Sequence, residues 1–153
     1  MRPTVANADK IYVDPSALRC LYIHDHRSRA FCAWRARLGG SISITSHGRA
    51  ELGNSIMLAV FRKDIDRNSG DAALNDVDDD IATGRLRLVD IPWPRTLQRT
   101  AHLSQVHTPK LGTRTLDVLH VASALELECR ILVTYDARQA TLAKTVGLRT
   151  TKP

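Results

Sequence analysis

A chain of 153 residues, of which 43% are hydrophobic and 25% charged, has the size and composition of one folded domain with a single core. Its formal net charge of +6 favours polyanionic partners such as nucleic acids. No apolar run approaches the roughly 20 residues that span a bilayer, and the N-terminus lacks the apolar segment of a signal peptide. We therefore predict a cytoplasmic protein with no membrane partner. Three cysteines without a CxxC pair indicate reduced thiols.

Strand and helix patterns alternate along the chain after a polar, loose lead over residues 1–10. The predicted strands cover residues 11–13, 41–45, 86–91, 130–135 and 148–151. The predicted helices cover residues 15–22, 28–38, 47–62, 71–83, 95–107, 115–128 and 137–146. Such alternation favours a single α/β domain over residues 1–153, a three-layer α/β/α sandwich with a mainly parallel central sheet.

Turn-forming residues set several of these predicted boundaries. Residues 68–70 (Asn-Ser-Gly) are predicted as a break between helices, and residues 108–112, which contain a proline and a glycine, as a loop. Ser46 is predicted to cap the helix that follows the second strand. Pro15 suits the first position of the first helix.

One carboxylate lies beside the apolar stripe of the predicted helix at 115–128. Apolar residues recur at helical spacing from Leu116 to Leu125, and Asp117 is next to their stripe rather than opposite it. An acid so near a buried face is costly unless something pairs with it. Alternatively, Asp117 offsets the helix dipole from the first turn. This stretch alone leaves both roles open.

Three further acids could share a site with Asp117. Asp14 ends the first strand, Asp136 ends the fourth, and Glu51 lies early in the helix after the second. Ligands in parallel sheets bind beyond the carboxyl ends of the strands, where the connectivity reverses. If these strands are neighbours, the four carboxylates repel one another, and a hard divalent cation such as Mg²⁺ or Mn²⁺ relieves that repulsion. The sequence therefore predicts an acidic metal site.

An acid-held metal beside a basic surface suggests phosphodiester hydrolysis, because the metal polarises a phosphate and lowers the pKa of a bound water. The helix N-terminus at Arg114 and Thr115 would help to hold the phosphate. Arg138 could contact phosphate or simply flank its helix. His120, one turn after Asp117, is interpreted as a buried core histidine rather than a catalytic base.

Several of these stretches resemble the motifs of PIN-domain proteins, and most closely those of VapC-type toxins of bacterial toxin–antitoxin pairs. The resemblance spans about residues 11 to 149. Its motifs are VDPSAL at 13–18, Glu51 with Asn54, TLDVLHVASA at 115–124, TYDARQ at 134–139, LA at 142–143 and GL at 147–148.

The resemblance implies a Mg²⁺- or Mn²⁺-dependent endoribonuclease that acts on RNA, is blocked by a cognate antitoxin and commonly forms a homodimer. The residues that match the family's acidic quartet are Asp14, Glu51, Asp117 and Asp136. Asp14, Asp117 and Asp136 would hold the metal, and Glu51 would help to orient the attacking water. Ser16 and Thr134 match supporting hydroxyl positions, whereas Pro15 replaces a small or hydroxyl residue.

Two other functions remain open at this point. A catalytically inactive PIN-like module would bind RNA or a protein partner without cutting, and it would share the basic surface. A phospho-acceptor signalling domain would use Asp14 as acceptor, but such domains also have a lysine at a late strand end, where this chain has Asp136.

Overall fold

The computed structural model describes residues 10–153, which form one five-stranded sheet with helices on both faces. The strands are β1 (Ile11–Val13), β2 (Ile42–Thr45), β3 (Leu86–Val89), β4 (Ile131–Val133) and β5 (Arg149–Thr151). All neighbouring pairs are parallel, in the order β3-β2-β1-β4-β5. The predicted sandwich with a mainly parallel sheet is therefore confirmed. The predicted loose lead over residues 1–10 lies, except for Lys10, outside the described residues.

The helices divide between the two faces of the sheet. They are α1 (Pro15–Leu18), α2 (Ser28–Ala36), α3 (Ser46–Phe61), α4 (Arg67–Ala82), α5 (Trp93–Leu111), α6 (Thr115–Glu126) and α7 (Ala137–Thr145), with a short 3₁₀ turn at Arg19–Leu21. One buried cluster packs α1 to α4 against the sheet, and a second packs α5 to α7 against the other face. None of the helices in residues 10–153 combines the length and apolar character that crossing a membrane requires.

Strand β1 contributes to both clusters and forms the centre of the sheet. Ile11 and Val13 belong to the first cluster, and Tyr12 belongs to the second, because successive side chains of a strand point to opposite faces. A strand covered on both faces has no solvent-exposed side for polar residues. This explains why β1 is apolar throughout.

The order of the strands places a crevice between β1 and β4. From β1 the chain adds β2 and then β3 on one side, and it then returns to pair β4 with β1 on the other side, with Val13 opposite Val133. A reversal of this kind separates the connections at the carboxyl ends of the two strands, and open α/β sheets bind ligands there. Asp14 directly follows β1 at this point.

Helix α4 begins earlier than its sequence suggests, and the predicted break at residues 68–70 is wrong. Asp66 caps the helix, since its Oδ1 accepts a hydrogen bond from Ser69 N at 2.7 Å. Gly70 is buried inside α4, where a Cβ added to the glycine would lie 2.5 Å from Val60 Cγ2 of α3. The glycine therefore permits the close approach of α3 and α4 rather than ending a helix.

Helix α5 is also longer than predicted, and residues 108–111 are helical rather than a loop. Pro109 lies near the end of the helix, where the loss of one backbone donor affects only the last turn. Gly112 then ends the helix with φ +65°, and its N–H donates to the Thr108 carbonyl at 2.8 Å. At the start of α3 the capping residue is Thr45, whose Oγ1 accepts from Gly48 N, rather than the predicted Ser46.

Replacing Gly70 by Ala should lower the free energy of unfolding by about 1–2 kcal/mol, because the new methyl group would overlap a stiff valine. Gly53→Ala in α3 is the matched control. Its Cβ would meet the flexible end of Arg49 at 2.9 Å, and the gain in helix propensity should raise stability by about 0.5–1 kcal/mol. Urea unfolding measures both values, and stabilisation by both substitutions would contradict the close α3–α4 contact.

Candidate functional site

Four acids predicted from the sequence lie around the crevice at the carboxyl ends of β1 and β4. Asp14 is the N-cap of α1, and Asp136 is the N-cap of α7. Asp117 lies in the first turn of α6, and Glu51 lies in the second turn of α3. The sheet order brings Asp14 and Asp136 together at one end of the molecule, and the packing of α3 and α6 adds Glu51 and Asp117.

Asp14 is nearly buried, with 5% of its surface exposed, and its carboxylate is held by three donors. Its Oδ2 accepts from the backbone N of Ser16 at 3.1 Å and from the Ser16 hydroxyl. Its Oδ1 accepts from Gln139 Nε2 at 3.1 Å. Burial raises the pKa of Asp14, while the hydrogen bonds from Ser16 and Gln139 oppose that rise. Ser16 therefore contacts Asp14, in the supporting position that the resemblance implied.

Gln139 links three of the acids, although no sequence pattern assigned it a role. Its Nε2 donates to Asp14 and to the backbone carbonyl of Asp117 at 3.3 Å, and its backbone N donates to Asp136 Oδ1 at 2.9 Å. The side chain is fully buried, and its Oε1 has no hydrogen-bond partner within residues 10–153. The available sequence signal was its position three residues after the capping Asp136.

Thr134 shapes the turn that presents Asp136. Its hydroxyl oxygen accepts a hydrogen bond from the backbone N of Asp136 at 3.0 Å, and the side chain is buried. Asp136 itself is partly open, with 34% of its side chain exposed. The buried hydroxyl thus fixes the backbone of an acid that can still reach a ligand.

Arg114 stands beside two of the carboxylates. Its Nε donates to Asp117 Oδ2 at 3.2 Å, and its Nη2 lies 4.0 Å from Asp136 Oδ2. The backbone N of Arg114 also donates to Asp117 Oδ2, so Asp117 closes the N-terminus of α6 as well. A cavity of about 310 Å³ opens here, lined by Arg114, Asp117, Glu51, Thr115 and Leu116. The guanidinium therefore acts as counter-charge between Asp117 and Asp136.

Arg138, the other predicted phosphate ligand, is exposed and lies at the start of α7. Its Nη1 donates to the carbonyl of Gly112 at 3.3 Å. This contact ties α7 to the loop that precedes α6. Both arginines are thus near the acids, but each is engaged with the protein itself.

Glu51 belongs to a hydrogen-bonded chain that runs into the core through His120. Glu51 Oε2 lies 2.5 Å from His120 Nε2, and His120 Nδ1 lies 2.7 Å from the Tyr12 hydroxyl. Burial raises the pKa of Tyr12, so its hydroxyl stays protonated and donates to Nδ1. Nε2 then carries the proton that it donates to Glu51, and this bond lowers the pKa of Glu51. His120 is buried as predicted, and it also fixes an acid of the crevice.

A second histidine, His47, packs against the hydrogen-bonded residues Glu51, His120 and Tyr12 at the His120 ring. The ring of His47 stacks on His120 with centroids 5.0 Å apart, and the ring of Trp93 meets His47 edge-on at 5.2 Å. His47 Nε2 lies 3.3 Å from Thr45 Oγ1, while its Nδ1 is buried without a hydrogen-bond partner in the described part of the chain. Burial lowers the pKa of His47 to about 4. His47 is thus neutral at physiological pH.

The low pKa of His47 predicts a loss of stability on mild acidification. An unfolded histidine has a pKa of about 6.5, so between that pH and about pH 4 the unfolded state binds more protons than the folded one. The His47 contribution to the free energy of unfolding should therefore fall as the pH drops through this window, by about 1 kcal/mol after allowance for partial exposure, while the raised pKa of Asp14 acts in the opposite direction. Urea unfolding at pH 7 and pH 4.5 isolates the His47 contribution by comparison of variants. Between these two pH values, the change in stability should be less favourable by about 1 kcal/mol in the unaltered chain and in His102→Gln, which changes an exposed histidine, than in His47→Gln.

The family model described as PIN domain matches residues 11–145. The chain belongs to the PIN-domain family. The predicted family is therefore confirmed, and proteins of this family are generally Mg²⁺-dependent nucleases. Among curated proteins, none matches the chain.

The donors of this PIN domain have the right chemistry for a hard divalent cation, but they are not assembled as a finished site. Within residues 10–153, no group of three or more His, Cys, Asp or Glu side chains is arranged to hold a metal ion. Asp14, Asp117 and Asp136 supply only oxygen donors, which suit Mg²⁺ and Mn²⁺. Arg114 neutralises Asp117 and approaches Asp136 in this arrangement. Its side chain is 77% exposed.

Proposed function

We propose that this PIN domain is a Mg²⁺- or Mn²⁺-dependent endoribonuclease that hydrolyses RNA phosphodiester bonds. The observation that carries the proposal is the linkage of acids across the switch point. Gln139 bonds Asp14 after β1 and Asp136 after β4, and it also contacts the backbone of Asp117. Buried donors that orient carboxylates from different elements are expected where those carboxylates must meet a common ligand.

In this proposal Asp14, Asp117 and Asp136 would hold the metal, which when bound would polarise the scissile phosphate and lower the pKa of a bound water. Glu51 is held by His120 through Oε2 and orients the attacking water with its other oxygen. Burial and the fixed hydrogen bonds keep Asp14 in one orientation, so it has little reorganisation to undergo when its ligand arrives.

Arg114 and Arg138 would bind the phosphate groups of the RNA substrate. Arg114 leaves Asp117 when the acids gain another cation, and its guanidinium then faces the cavity beside the N-terminus of α6. Arg138 lies in the first turn of α7, next to Asp136, and its guanidinium can contact a phosphate of the RNA substrate. Both would bind the substrate backbone and read no base.

We also propose that the protein is the toxin of a type II toxin–antitoxin pair. This assignment depends on the resemblance of residues 115–124 and 134–139 to VapC-type toxins. It implies a cognate antitoxin that covers the acids, a homodimer, and action in the cytoplasm. Co-expression with the product of the neighbouring reading frame tests it: a stable complex with suppressed RNA cleavage is the expected result, and unchanged cleavage in the presence of that product would oppose the toxin role.

The nuclease proposal is tested with purified protein and end-labelled single-stranded RNA. Cleavage should appear with Mg²⁺ or Mn²⁺, disappear with EDTA, and return when excess metal is restored. Internal cuts, rather than one-nucleotide steps from an end, identify an endonuclease. Intact RNA under every metal condition, with protein that is folded by circular dichroism, would refute the activity.

A second candidate function is the inactive module that binds RNA or protein. The pairing of Arg114 with Asp117 and the unassembled acid group favour it. Calorimetric titration with Mn²⁺ separates the two candidates. A nuclease should bind the ion with an affinity that falls in Asp14→Asn, whereas an inactive module should show no acid-dependent binding.

A further inference from the structure

A positively charged segment without acids follows the last of the candidate site acids. Residues 137–153 contain no Asp or Glu, and their four cations are Arg138, Lys144, Arg149 and Lys152. This short segment therefore carries +4 of the formal net charge of +6. It comprises α7 and β5, which lie at one edge of the sheet beside β4. A polyanion that approaches Asp136 would meet this surface first.

A groove of about 520 Å³ is lined by residues of α7 and β5 and by Asp136. Lys144 stands on its helical wall, and Lys152 stands just beyond the end of β5. Both lysines are exposed, so their ammonium groups are available to a ligand. The rest of the lining includes the hydroxyls of Thr150 and Thr151. The groove thus offers cations and small hydrogen-bonding groups, together with an acid that is already part of the candidate site.

We infer that this α7–β5 groove binds the sugar–phosphate backbone of single-stranded RNA and leads it to Asp136, with phosphates on Lys144 and Lys152. The inference rests on the proposed nuclease function and adds the path of its substrate. Proteins that bind single strands without sequence preference use positively charged grooves that follow the backbone. A concave groove of this size takes a flexible strand, whereas a duplex is recognised over successive grooves by a broad surface.

The aromatic ring that lines the groove, that of Tyr135, is already occupied. The guanidinium of Arg27 lies over the Tyr135 ring at 4.3 Å, and the Tyr135 hydroxyl donates to the Pro153 carbonyl at 2.9 Å. These contacts hold the chain end against the groove and leave little of the ring for a stacked base. The groove therefore contacts the backbone of the RNA and contributes affinity rather than base specificity.

The test compares Lys144→Gln/Lys152→Gln with the control Lys10→Gln/Lys63→Gln, which removes the same charge outside the groove. Fluorescence anisotropy measures binding of a labelled single-stranded RNA in EDTA, where no cleavage occurs. The groove variant should bind about five- to tenfold more weakly. The slope of log affinity against log salt should become shallower by about 1.4, or about 0.7 for each lost phosphate contact. The control should stay within about twofold of the unaltered chain.

Equal binding by the groove variant and the control would overturn the inference. So would poly-glutamate that competes as well as unlabelled RNA, because it would indicate an acidic protein segment as the occupant. If the unaltered chain cleaves RNA and the groove variant binds and cleaves RNA equally well, the RNA-binding role of the groove is refuted and the nuclease proposal is supported. If the groove variant binds RNA more weakly but no metal supports cleavage, the RNA-binding role of the groove is supported and the nuclease proposal is refuted.

Discussion

Asp14→Asn should reduce RNA cleavage by about a thousandfold while the protein remains folded. The carboxylate supplies a negative charge at the crevice that an amide cannot replace, and its loss should weaken metal binding. The fold can accept the change because Gln139 has an Oε1 without a hydrogen-bond partner in the described part of the chain. If the Gln139 amide turns over, Oε1 can accept from the new amide of residue 14, at the cost of the long bond that Nε2 donates to the Asp117 carbonyl.

The stability of Asp14→Asn provides a second readout with a defined sign. Burial raises the pKa of Asp14, so its ionised form costs folding free energy at neutral pH. The uncharged Asn side chain does not carry that cost. Chemical unfolding at pH 7 should therefore show the variant to be as stable as the unaltered chain or more stable, and lost cleavage cannot then be ascribed to unfolding.

Asp117→Asn should cause a similar loss of cleavage with a different effect on stability. Its Oδ2 accepts from the backbone N of Arg114 and pairs with the Arg114 guanidinium. The Asn oxygen can keep the backbone bond but not the charge, so stability should fall by about 0.5–1 kcal/mol. If the protein is a toxin, expression of the unaltered chain should arrest growth, and expression of either variant should not.

Asp90→Asn is the matched control for both acids. Asp90 is an exposed carboxylate that follows β3 at the same edge of the sheet. It lies outside the linkage through Gln139, so its loss should leave cleavage unchanged. Retained cleavage by Asp14→Asn or Asp117→Asn, with metal present and the protein folded, would be incompatible with the proposed site.

The places of Asp14 and Asp136 in the fold could be predicted from the sequence, because both follow short apolar strands and precede helices. Their linkage through Gln139 depends on one long-range fact, the pairing of β1 with β4. Alternation of strands and helices made a parallel sheet the favoured arrangement, and the apolar character of both strands fitted central positions in it.

The supporting side chains could not be found in this way. The bond between Glu51 and His120 joins residues 69 apart in the sequence, and that between Gln139 and Asp14 joins residues 125 apart. No local periodicity reports which buried polar groups satisfy one another, since that depends on packing. The same limit explains the error at Gly70, where a residue that usually interrupts helices instead permits a close contact between two of them.

His120→Leu should both destabilise the protein and slow cleavage, because it removes the hydrogen bonds that connect Tyr12 to Glu51 through His120. The substitution leaves the buried Tyr12 hydroxyl and the Glu51 carboxylate without the partners that they have now. The free energy of unfolding should fall by about 2–4 kcal/mol. Cleavage should fall by about ten- to a hundredfold, since Glu51 would no longer be held in one position. Tyr12→Phe removes only the inner bond, between the Tyr12 hydroxyl and His120 Nδ1, and should cost about 1 kcal/mol.

A double-mutant cycle tells a positioning role of His120 from a merely structural one. If His120 acts through Glu51, the effect of His120→Leu on the cleavage rate should largely disappear in a Glu51→Gln background, where there is no carboxylate to position. The effect on stability has a different origin, because part of it comes from the Tyr12 hydroxyl, and it should persist in that background. An equal loss of cleavage rate in both backgrounds would show that His120 supports the fold without acting on Glu51.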